Sequence, residues 1–187
     1  MNKWGKKRSV MRRYDLTAKI YDERYSKEQE AKYKVALETL SLSRESTVLD
    51  AGCGSGMFFA HIANQTKFTV GLDISRELLL LAEERARNFS NVFLVQADAD
   101  HLPFKRGAFG YVFAFTVLQN MPNPSETLKE LQNSASQNAR YVVTALKSAI
   151  SLEKFGRILQ KAGLAVASLR DDEILRCYVV SAVRSSN

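Results

Sequence analysis

From residue 46 onward, short apolar runs alternate with longer stretches in which apolar residues recur at helical spacing. The short runs predict strands over residues 47–50, 68–73, 92–98, 109–115 and 141–145. The longer stretches predict helices over residues 57–65, from the N-cap Ser75 to about Arg87, from Asn123-Pro124 to about Gln137, and from the N-cap Ser151 to a stop at Gly163. This alternation predicts an α/β fold, with a doubly wound, mostly parallel sheet covered by helices on both faces.

The last two apolar runs have a different connection. They cover residues 165–169 and 176–183, and the acidic turn Asp171-Asp172-Glu173 lies between them. Because this turn is too short for a crossover helix, we expect the final two strands to form an antiparallel hairpin.

The first 45 residues differ from the rest of the chain in charge. The sequence has 27 Lys and Arg against 20 Asp and Glu, and six of these cations lie in residues 1–13, which contain no acid. Residues 14–40 combine charge with apolar positions that predict one or two amphipathic helices. We therefore divide the chain into a basic arm (1–13), a helical segment (14–45) and an α/β domain (46–187). The arm is either a solvated tail or a nucleic-acid contact, since Trp4 and Tyr14 interleave with its cations.

Composition argues against several classes of protein. No apolar run approaches the roughly 18–20 residues of a membrane-spanning helix, and no apolar segment follows the basic start as a secretory signal requires. Two cysteines, Cys53 and Cys177, are too few for a disulfide framework or a zinc site, and His61 and His101 lie far apart in the sequence. We therefore expect no metal site, no membrane partner and a reducing, cytoplasmic setting.

Three predicted strands end in an acid: Asp50, Asp73 and Asp98. Ligands of open parallel sheets bind beyond the carboxyl ends of the strands, so these side chains should meet at one edge. The segment 51–56, Ala-Gly-Cys-Gly-Ser-Gly, follows Asp50 and lets the backbone approach a ligand closely. Asp73 is placed for a ribose diol, and Asp98 or its neighbouring backbone for the exocyclic amine of a purine. The arrangement predicts a nucleoside pocket.

A dinucleotide-dependent dehydrogenase is the main alternative to consider. Its fingerprint is G-x-G-x-x-G, and the third glycine would fall at position 57, which is Met57. The observed spacing is Gly52-x-Gly54-x-Gly56, with an acid two residues before the first glycine. This spacing, together with the three strand-end acids, disfavours the dehydrogenase.

These motifs resemble those of the class I S-adenosylmethionine-dependent methyltransferases. Residues 48–56 resemble their first motif, 71–75 the second, 96–99 with 102–104 the third, and 109–112 with 115–120 the fourth. The resemblance is closest to the ubiquinone/menaquinone-biosynthesis-like branch, in which a segment similar to residues 14–22 closes over the cofactor. It implies a Rossmann-like sheet of seven strands in the order 3-2-1-4-5-7-6, with strand 7 antiparallel.

The resemblance also implies roles for ten cofactor-binding residues. Asp50 and the backbone of Gly52, Cys53 and Gly54 would hold the amino-acid end of S-adenosylmethionine, and Asp73 the ribose hydroxyls. Ile74 would pack on the adenine, Asp98 would meet its amine, and the Ala99 N–H its ring nitrogen. Phe115 or Thr116 would line the sulfonium side, and Tyr21 would lie over the methionine portion unless it is a core aromatic. Gly110 stands where the family usually has an acid, which affects local packing.

No catalytic residue is predicted, because methyl transfer from a sulfonium depends mainly on alignment and proximity. The sequence lacks the Asn-Pro-Pro-aromatic tetrapeptide of exocyclic-amine methylases, although residues 119–122 offer polar contacts to an acceptor. The basic arm beside the predicted lid favours RNA, either rRNA or tRNA, as the methyl acceptor. A small molecule such as a quinone precursor is the alternative, and an inactive S-adenosylmethionine-binding partner subunit is a third interpretation.

The implied strand order would leave strand 3 as an exposed apolar edge at residues 92–97. Proteins normally protect such edges, so we expect a partner strand or a second copy of the chain to cover it. This expectation resembles the archaeal and eukaryotic RNA and translation-factor methyltransferases that need a small zinc-binding activator subunit.

Overall fold

The structure, a computed structural model, describes residues 2–185. Its centre is one seven-stranded sheet. The strands are β1 (Thr47–Ala51), β2 (Phe68–Asp73), β3 (Val92–Gln96), β4 (Phe109–Ala114), β5 (Ala135–Leu146), β6 (Leu164–Arg170) and β7 (Cys177–Arg184). Their spatial order is β3-β2-β1-β4-β5-β7-β6. The first five strands pair in parallel, and β7 runs antiparallel to both β5 and β6. The predicted fold class, the strand order and the final hairpin are confirmed.

Six α-helices accompany the sheet, with 3-10 turns at Ala18–Ile20, Ala63–Gln65 and Leu118–Asn120 among the described residues. The helices are α1 (Lys3–Thr17), α2 (Tyr21–Glu38), α3 (Phe59–Ile62), α4 (Arg76–Ala86), α5 (Pro124–Ser134) and α6 (Leu152–Lys161). Ser75 and Ser151 cap α4 and α6, since their side chains accept hydrogen bonds from Leu78 N (3.2 Å) and Lys154 N (3.3 Å). Gly163 follows α6 with a positive φ of 74°, as a helix stop requires.

Several predicted boundaries were wrong. The helix predicted over 57–65 is α-helical only in α3 and then tightens into a 3-10 turn. The helix predicted to reach Gln137 ends at Ser134, because Ala135 already pairs with Phe109 of β4. Asn123 occupies the N-cap position of α5, but its side chain makes no capping hydrogen bond. Here the sheet pairing overrides the local helical pattern.

The basic arm is not a disordered tail. Residues 3–13 form most of α1, which continues across the expected boundary between arm and helical segment to Thr17. Helix α2 then packs onto the sheet through Tyr33, whose ring lies 4.8 Å from that of Phe58 and 4.9 Å from that of Phe115 between centroids. The two N-terminal helices therefore belong to the folded body.

No helix in residues 2–185 is both long and apolar enough to cross a membrane. In the same part of the chain, no three His, Cys, Asp or Glu side chains are grouped closely enough to share a metal ion. Cys53 and Cys177 are both free and buried. The cytoplasmic setting stays a prediction.

Candidate functional site

A cavity of about 710 Å³, including its open mouth, lies beyond the carboxyl ends of β1, β2 and β4. Helix α1 and the start of α2 form its roof. The residues that line it are Lys7, Val10, Tyr14, Tyr21, Gly52, Gly54, Leu72, Asp73, Ile74, Leu78, Ala97, Asp98, Ala99, Phe115, Thr116, Val117, Asn120 and Met121. The cavity occupies the position at which open α/β sheets bind ligands.

The glycine loop forms one wall, and two of its glycines are required by space and conformation. Gly52 has a φ of 76°, and a Cβ atom there would come within 2.5 Å of Val117 Cγ2. Gly54 has a φ of 57°, and a Cβ atom there would lie 3.3 Å from the Tyr21 hydroxyl oxygen. Larger residues would strain the backbone and fill the narrow space between loop and lid. Tyr21 thus lies against the loop, where the sequence predicted a cofactor lid.

Asp73 supports this loop from the end of β2. One carboxylate oxygen accepts a hydrogen bond from Gly54 N (2.9 Å), and the other accepts one from Ser75 N (2.9 Å). Burial raises the pKa of Asp73, and the backbone hydrogen bonds from Ser75 and Gly54 oppose that rise. The carboxylate is therefore held in one orientation at the wall of the cavity.

Asp50 lies beneath the cavity and does not line it. Its side chain is buried, and burial followed by repulsion from Asp73 raises its pKa to about 8. Two neighbouring buried carboxylates favour a ligand with a positive charge, because such a charge would offset their mutual repulsion. The ammonium group at the amino-acid end of S-adenosylmethionine has that charge. Cys53 is also buried and contributes no lining surface.

Asp98 pairs with a residue that sequence reasoning missed. The Lys7 ammonium nitrogen of α1 lies 2.6 Å from Asp98 Oδ2 and 2.5 Å from Asp100 Oδ2. All three side chains are largely buried. Asp98 and Asp100 therefore share one buried cation. Helix α1 is thereby fastened over the part of the cavity predicted to hold the adenine.

Further contacts hold helices α1 and α2 against the residues around the opening of the cavity. Asp15 accepts a hydrogen bond from Ser75 Oγ (2.6 Å). Asp22 accepts one from Ser55 Oγ (2.5 Å) and forms an ion pair with Arg85. On the other side, Lys6 donates to the carbonyl oxygen of Met121 (2.8 Å) and Arg13 to Asn120 Oδ1 (3.0 Å). The roof of the cavity therefore extends from α1 into α2, and it includes residues before residue 14.

A second cavity of about 830 Å³, also counting its open mouth, adjoins the first. The two share Tyr14, Tyr21, Thr116 and Asn120, and the second is otherwise lined by Arg13, Thr17, Arg24, Tyr25, Glu28, Gln29, Lys32, Gln119 and Leu146. Thr116 has a φ of 59°, the only positive value at a non-glycine residue in the described chain. Such strain in a β-branched residue is costly and is often found at functional sites.

Eight of the ten predicted cofactor-binding residues line the first cavity, while Asp50 and Cys53 lie behind its surface. Their individual roles stay predictions. The lining residues that belong to none of the motifs named from the sequence are Lys7, Val10 and Leu78. Neither Lys7 nor Val10 has a motif around it, so only the tertiary packing of α1 identifies them. For the predicted cofactor, the glycine cradle and the buried carboxylates both fit.

Comparison with known proteins agrees with this geometry. Residues 42–173 match the family model described as "Methyltransferase domain". A demethylmenaquinone methyltransferase from Bacillus licheniformis is 32% identical over 98 residues, which are 51% of this chain and 42% of that protein. The chain spans less than half the length of the curated relatives it matches first.

Two solved structures share the fold at low sequence identity. The crystal structure of a SAM-dependent methyltransferase from Aquifex aeolicus has a TM-score of 0.77 and 19% identity, over 90% of this chain and 97% of that one. A methyltransferase in a complex with the Haloferax volcanii Trm112 methyltransferase activator has a TM-score of 0.81 and 18% identity, over 95% of this chain and 98% of that one.

Proposed function

This chain belongs to the methyltransferase-domain family, the S-adenosylmethionine-dependent methyltransferases that its motifs resemble, and we propose that it methylates a small-molecule acceptor. S-adenosylmethionine would supply the methyl group as an activated sulfonium. The protein's contribution is alignment, since holding donor and acceptor in line lowers the barrier to displacement without a protein nucleophile. In this proposal the first cavity holds the cofactor and the second holds the acceptor.

The residues of the first cavity would divide the cofactor between them. Asp50 and the loop from Gly52 to Gly54 would hold the amino-acid end, and Asp73 the ribose hydroxyls. Ile74, Asp98 and Ala99 surround the position proposed for the adenine. Asp98 would meet the adenine amine beside its ion pair with Lys7. Phe115 lines the first cavity, and Thr116 and Tyr21 line both cavities.

The observation that favours a small acceptor is the second cavity, which lies beneath helices α1 and α2. It is separated from the first cavity only by shared residues such as Thr116. Three of the six arm cations, Lys6, Lys7 and Arg13, make contacts within the chain and so contribute less to a nucleic-acid surface. The match to a relative named demethylmenaquinone methyltransferase supports the same choice.

RNA is the second candidate, because part of the basic arm remains on the surface. Lys3, Arg8 and Arg12 are exposed on α1, and half of the Trp4 side chain is exposed beside them. Exposed cations with an aromatic residue suit phosphate contacts and base stacking. An RNA acceptor would then have to insert one base beneath the lid.

Transfer of a labelled methyl group separates these candidates. Purified protein is incubated with methyl-labelled S-adenosylmethionine and with the RNA, protein and small-molecule fractions of a cell extract. The proposal predicts label in the small-molecule fraction. Label confined to RNA would instead support the second candidate. Saturable cofactor binding without transfer to any fraction would support an inactive, cofactor-binding partner subunit.

The salt dependence of RNA binding tests the arm directly. If α1 contacts phosphates, Arg8→Ala with Arg12→Ala should weaken RNA binding and reduce the slope of log affinity against log salt by about two. The matched control is Lys105→Ala with Arg106→Ala, which removes two exposed cations that precede β4, at the end away from the cavity. Equal behaviour of the two double variants would contradict a specific contact by α1.

We also propose that a small protein partner covers the edge of the sheet at β3. Phe93 on β3 is 54% exposed, Leu80 on the neighbouring helix α4 is 45% exposed, and both line a groove between these elements. An apolar edge strand favours strand addition. The Haloferax protein of the same fold, solved with its activator, supports a different protein as partner over a second copy of the chain.

The partner proposal is tested by co-purification and sedimentation of the full chain. Phe93→Lys should abolish association with a small co-purifying subunit, whereas Leu152→Lys, at an exposed residue of α6, should not. Self-association that Phe93→Lys disrupts would favour a second copy. A monodisperse monomer of full activity in both variants would contradict the proposal.

A further inference from the structure

The second cavity carries an excess of positive charge. Its lining includes three cations and one acid, namely Arg13, Arg24, Lys32 and Glu28. The Lys32 ammonium nitrogen lies 3.4 Å from Glu28 Oε1, so these two charges offset each other within the wall. The Lys32 side chain is only 1% exposed, which leaves it little contact with a ligand. The charge that the cavity presents is therefore that of its two arginines.

Both arginines keep hydrogen-bond donors available to a ligand. Arg13 and Arg24 are exposed, and neither forms an ion pair with an acid within residues 2–185. A guanidinium group has several N–H donors, and Arg13 donates to Asn120 Oδ1 (3.0 Å). The Arg13 guanidinium carbon also lies 5.0 Å from the centre of the Tyr14 ring, which holds the group at the cavity. Arg24 makes no side-chain hydrogen bond to the described part of the chain.

The two guanidinium groups approach the cavity from separate helices. Arg13 belongs to α1 and Arg24 to α2. A guanidinium group is a planar fork that matches the paired oxygens of a carboxylate or a phosphate. Two such groups at one cavity can bind a single anionic group together, and they would repel each other less with that anion present.

Apolar walls lie beside these charges. Tyr21 and Tyr25 are on the face of α2 that lines the cavity, with their ring centroids 4.9 Å apart, and Leu146 of β5 also contributes. This combination of apolar walls with a few charged groups is typical of small-molecule sites, in which the charged groups fix the orientation of the ligand.

The two cavities differ in the sign of their charge. Asp73 and Asp98 line the first cavity against the single cation Lys7, which suits a cofactor that carries a sulfonium and an ammonium group. The arginines of the second cavity would instead repel such a cation and attract an anion. Thr116 lines both cavities and marks where their two ligands would meet.

We infer that the methyl acceptor bound in the second cavity is a small acid, whose carboxylate or phosphate group is held by Arg13 and Arg24. The inference rests on the proposed function and adds the charge of the acceptor to it. The arginines orient the acid by its anionic group, its apolar part lies against the tyrosines, and Thr116 borders the side that faces the cofactor.

Binding of a series of probes that differ in charge tests the inference on the full chain saturated with S-adenosylhomocysteine. Benzoate, benzamide and benzylamine share one ring and are anionic, neutral and cationic near neutral pH, and phenyl phosphate compares a phosphate with the carboxylate. Binding is followed by NMR titration of the Thr116 amide and of the arginine side-chain N–H signals. We expect benzoate or phenyl phosphate to bind at least about fivefold more tightly than benzamide, and this preference to shrink as salt is added. Benzylamine should bind most weakly.

Two variants assign the preference to particular residues. Arg13→Gln and Arg24→Gln each remove one charge and keep a polar side chain, so each should reduce the preference for the anion over benzamide by at least about threefold. The matched control, Lys34→Gln, removes an exposed cation of α2 that does not line the cavity, and should keep the full preference. If Arg13→Gln also loosens α1 from Asn120, Arg24→Gln alone still decides the outcome.

The possible failures are distinguishable. Equal binding of benzamide and both anions would overturn the inference, and so would an Arg24→Gln variant that behaves like Lys34→Gln. A short single-stranded RNA that requires both arginines for binding, when neither small anion binds, would overturn it in favour of a nucleic-acid phosphate. Each of these results would leave the cofactor site intact. Failure of S-adenosylhomocysteine itself to bind would instead contradict the proposed function.

Discussion

Asp50→Asn should make the cofactor-free protein more stable near neutral pH. The Asp50 carboxyl is buried beside Asp73. Burial and the charge of Asp73 together raise the pKa of Asp50 to about 8 in the folded protein. In the unfolded chain an aspartate has a pKa of about 3.9. Between these two values the folded state binds the proton more tightly than the unfolded state does. Stability is therefore lost as the pH rises through this window.

The size of the effect follows from the width of the window. Each pH unit inside it costs up to about 1.4 kcal/mol of folding free energy, so the change from pH 5 to pH 7 costs roughly 3 kcal/mol. Asparagine has no carboxyl proton to lose, so the stability of the variant should not show this fall with rising pH. The same change removes the carboxyl group that would ionise to pair with the ammonium group of the cofactor, and should weaken S-adenosylhomocysteine binding by about tenfold.

Urea unfolding of both proteins at pH 5, 6 and 7 measures the difference. Without cofactor, the free energy of unfolding of Asp50→Asn relative to the native protein should rise across this series. Glu173→Gln, at an exposed acid, is the control and should follow the native protein at every pH. Parallel pH profiles of Asp50→Asn and the native protein would refute the argument that Asp50 is held protonated by burial.

Two further changes test the lid and the close packing of β2. Lys7→Met should accelerate hydrogen exchange of the α1 amides at least about tenfold, because it leaves two buried carboxylates without their cation. Arg8→Met, on the exposed face of α1, should leave the exchange rates unchanged. Equal exchange in both variants would contradict the role of the ion pair in holding α1. Gly71→Ala should lower stability by about 1–3 kcal/mol, since its Cβ would lie 2.6 Å from the Phe59 ring. Gly156→Ala in α6, with nothing within 4 Å, should instead stabilise by about 0.5–1 kcal/mol in urea unfolding. Similar effects of the two substitutions would contradict the close approach at Gly71.

The sheet and the wall of the first cavity could be predicted because their signals are local. An acid at the end of each of three strands, the glycine spacing and the Ser75 cap are read from a few neighbouring residues, and parallel topology brings them together. The positive φ values of Gly52 and Gly54 agree with the turn that this spacing predicts. The structure also confirms the final hairpin, which depends only on the shortness of its turn.

The lid could not be predicted in detail because its contacts are long-range. Lys7 meets Asp98 across 91 residues of sequence, and no pattern around Lys7 indicates a buried ammonium group. The charge of residues 1–13 instead favoured a tail or a nucleic-acid contact. The strain at Thr116 was equally invisible, since it depends on Lys32 and Thr144 from distant elements. Sequence pattern therefore identified the glycine-loop wall of the first cavity, and tertiary packing identified the roof and the second cavity.

Calorimetric titration with S-adenosylhomocysteine is the most direct test that the glycine-loop cavity is a methyltransferase cofactor site. The native protein should bind one equivalent saturably. Asp73→Ala should weaken binding at least about tenfold by removing the carboxylate proposed to hold the ribose hydroxyls. Asp73→Asn keeps the size of the side chain, so it separates the loss of the carboxylate from a disturbance of the loop. The control variant Glu173→Gln should bind S-adenosylhomocysteine as the native protein does. Absence of saturable binding by the native protein, or unchanged affinity in folded Asp73 variants, would contradict the assignment.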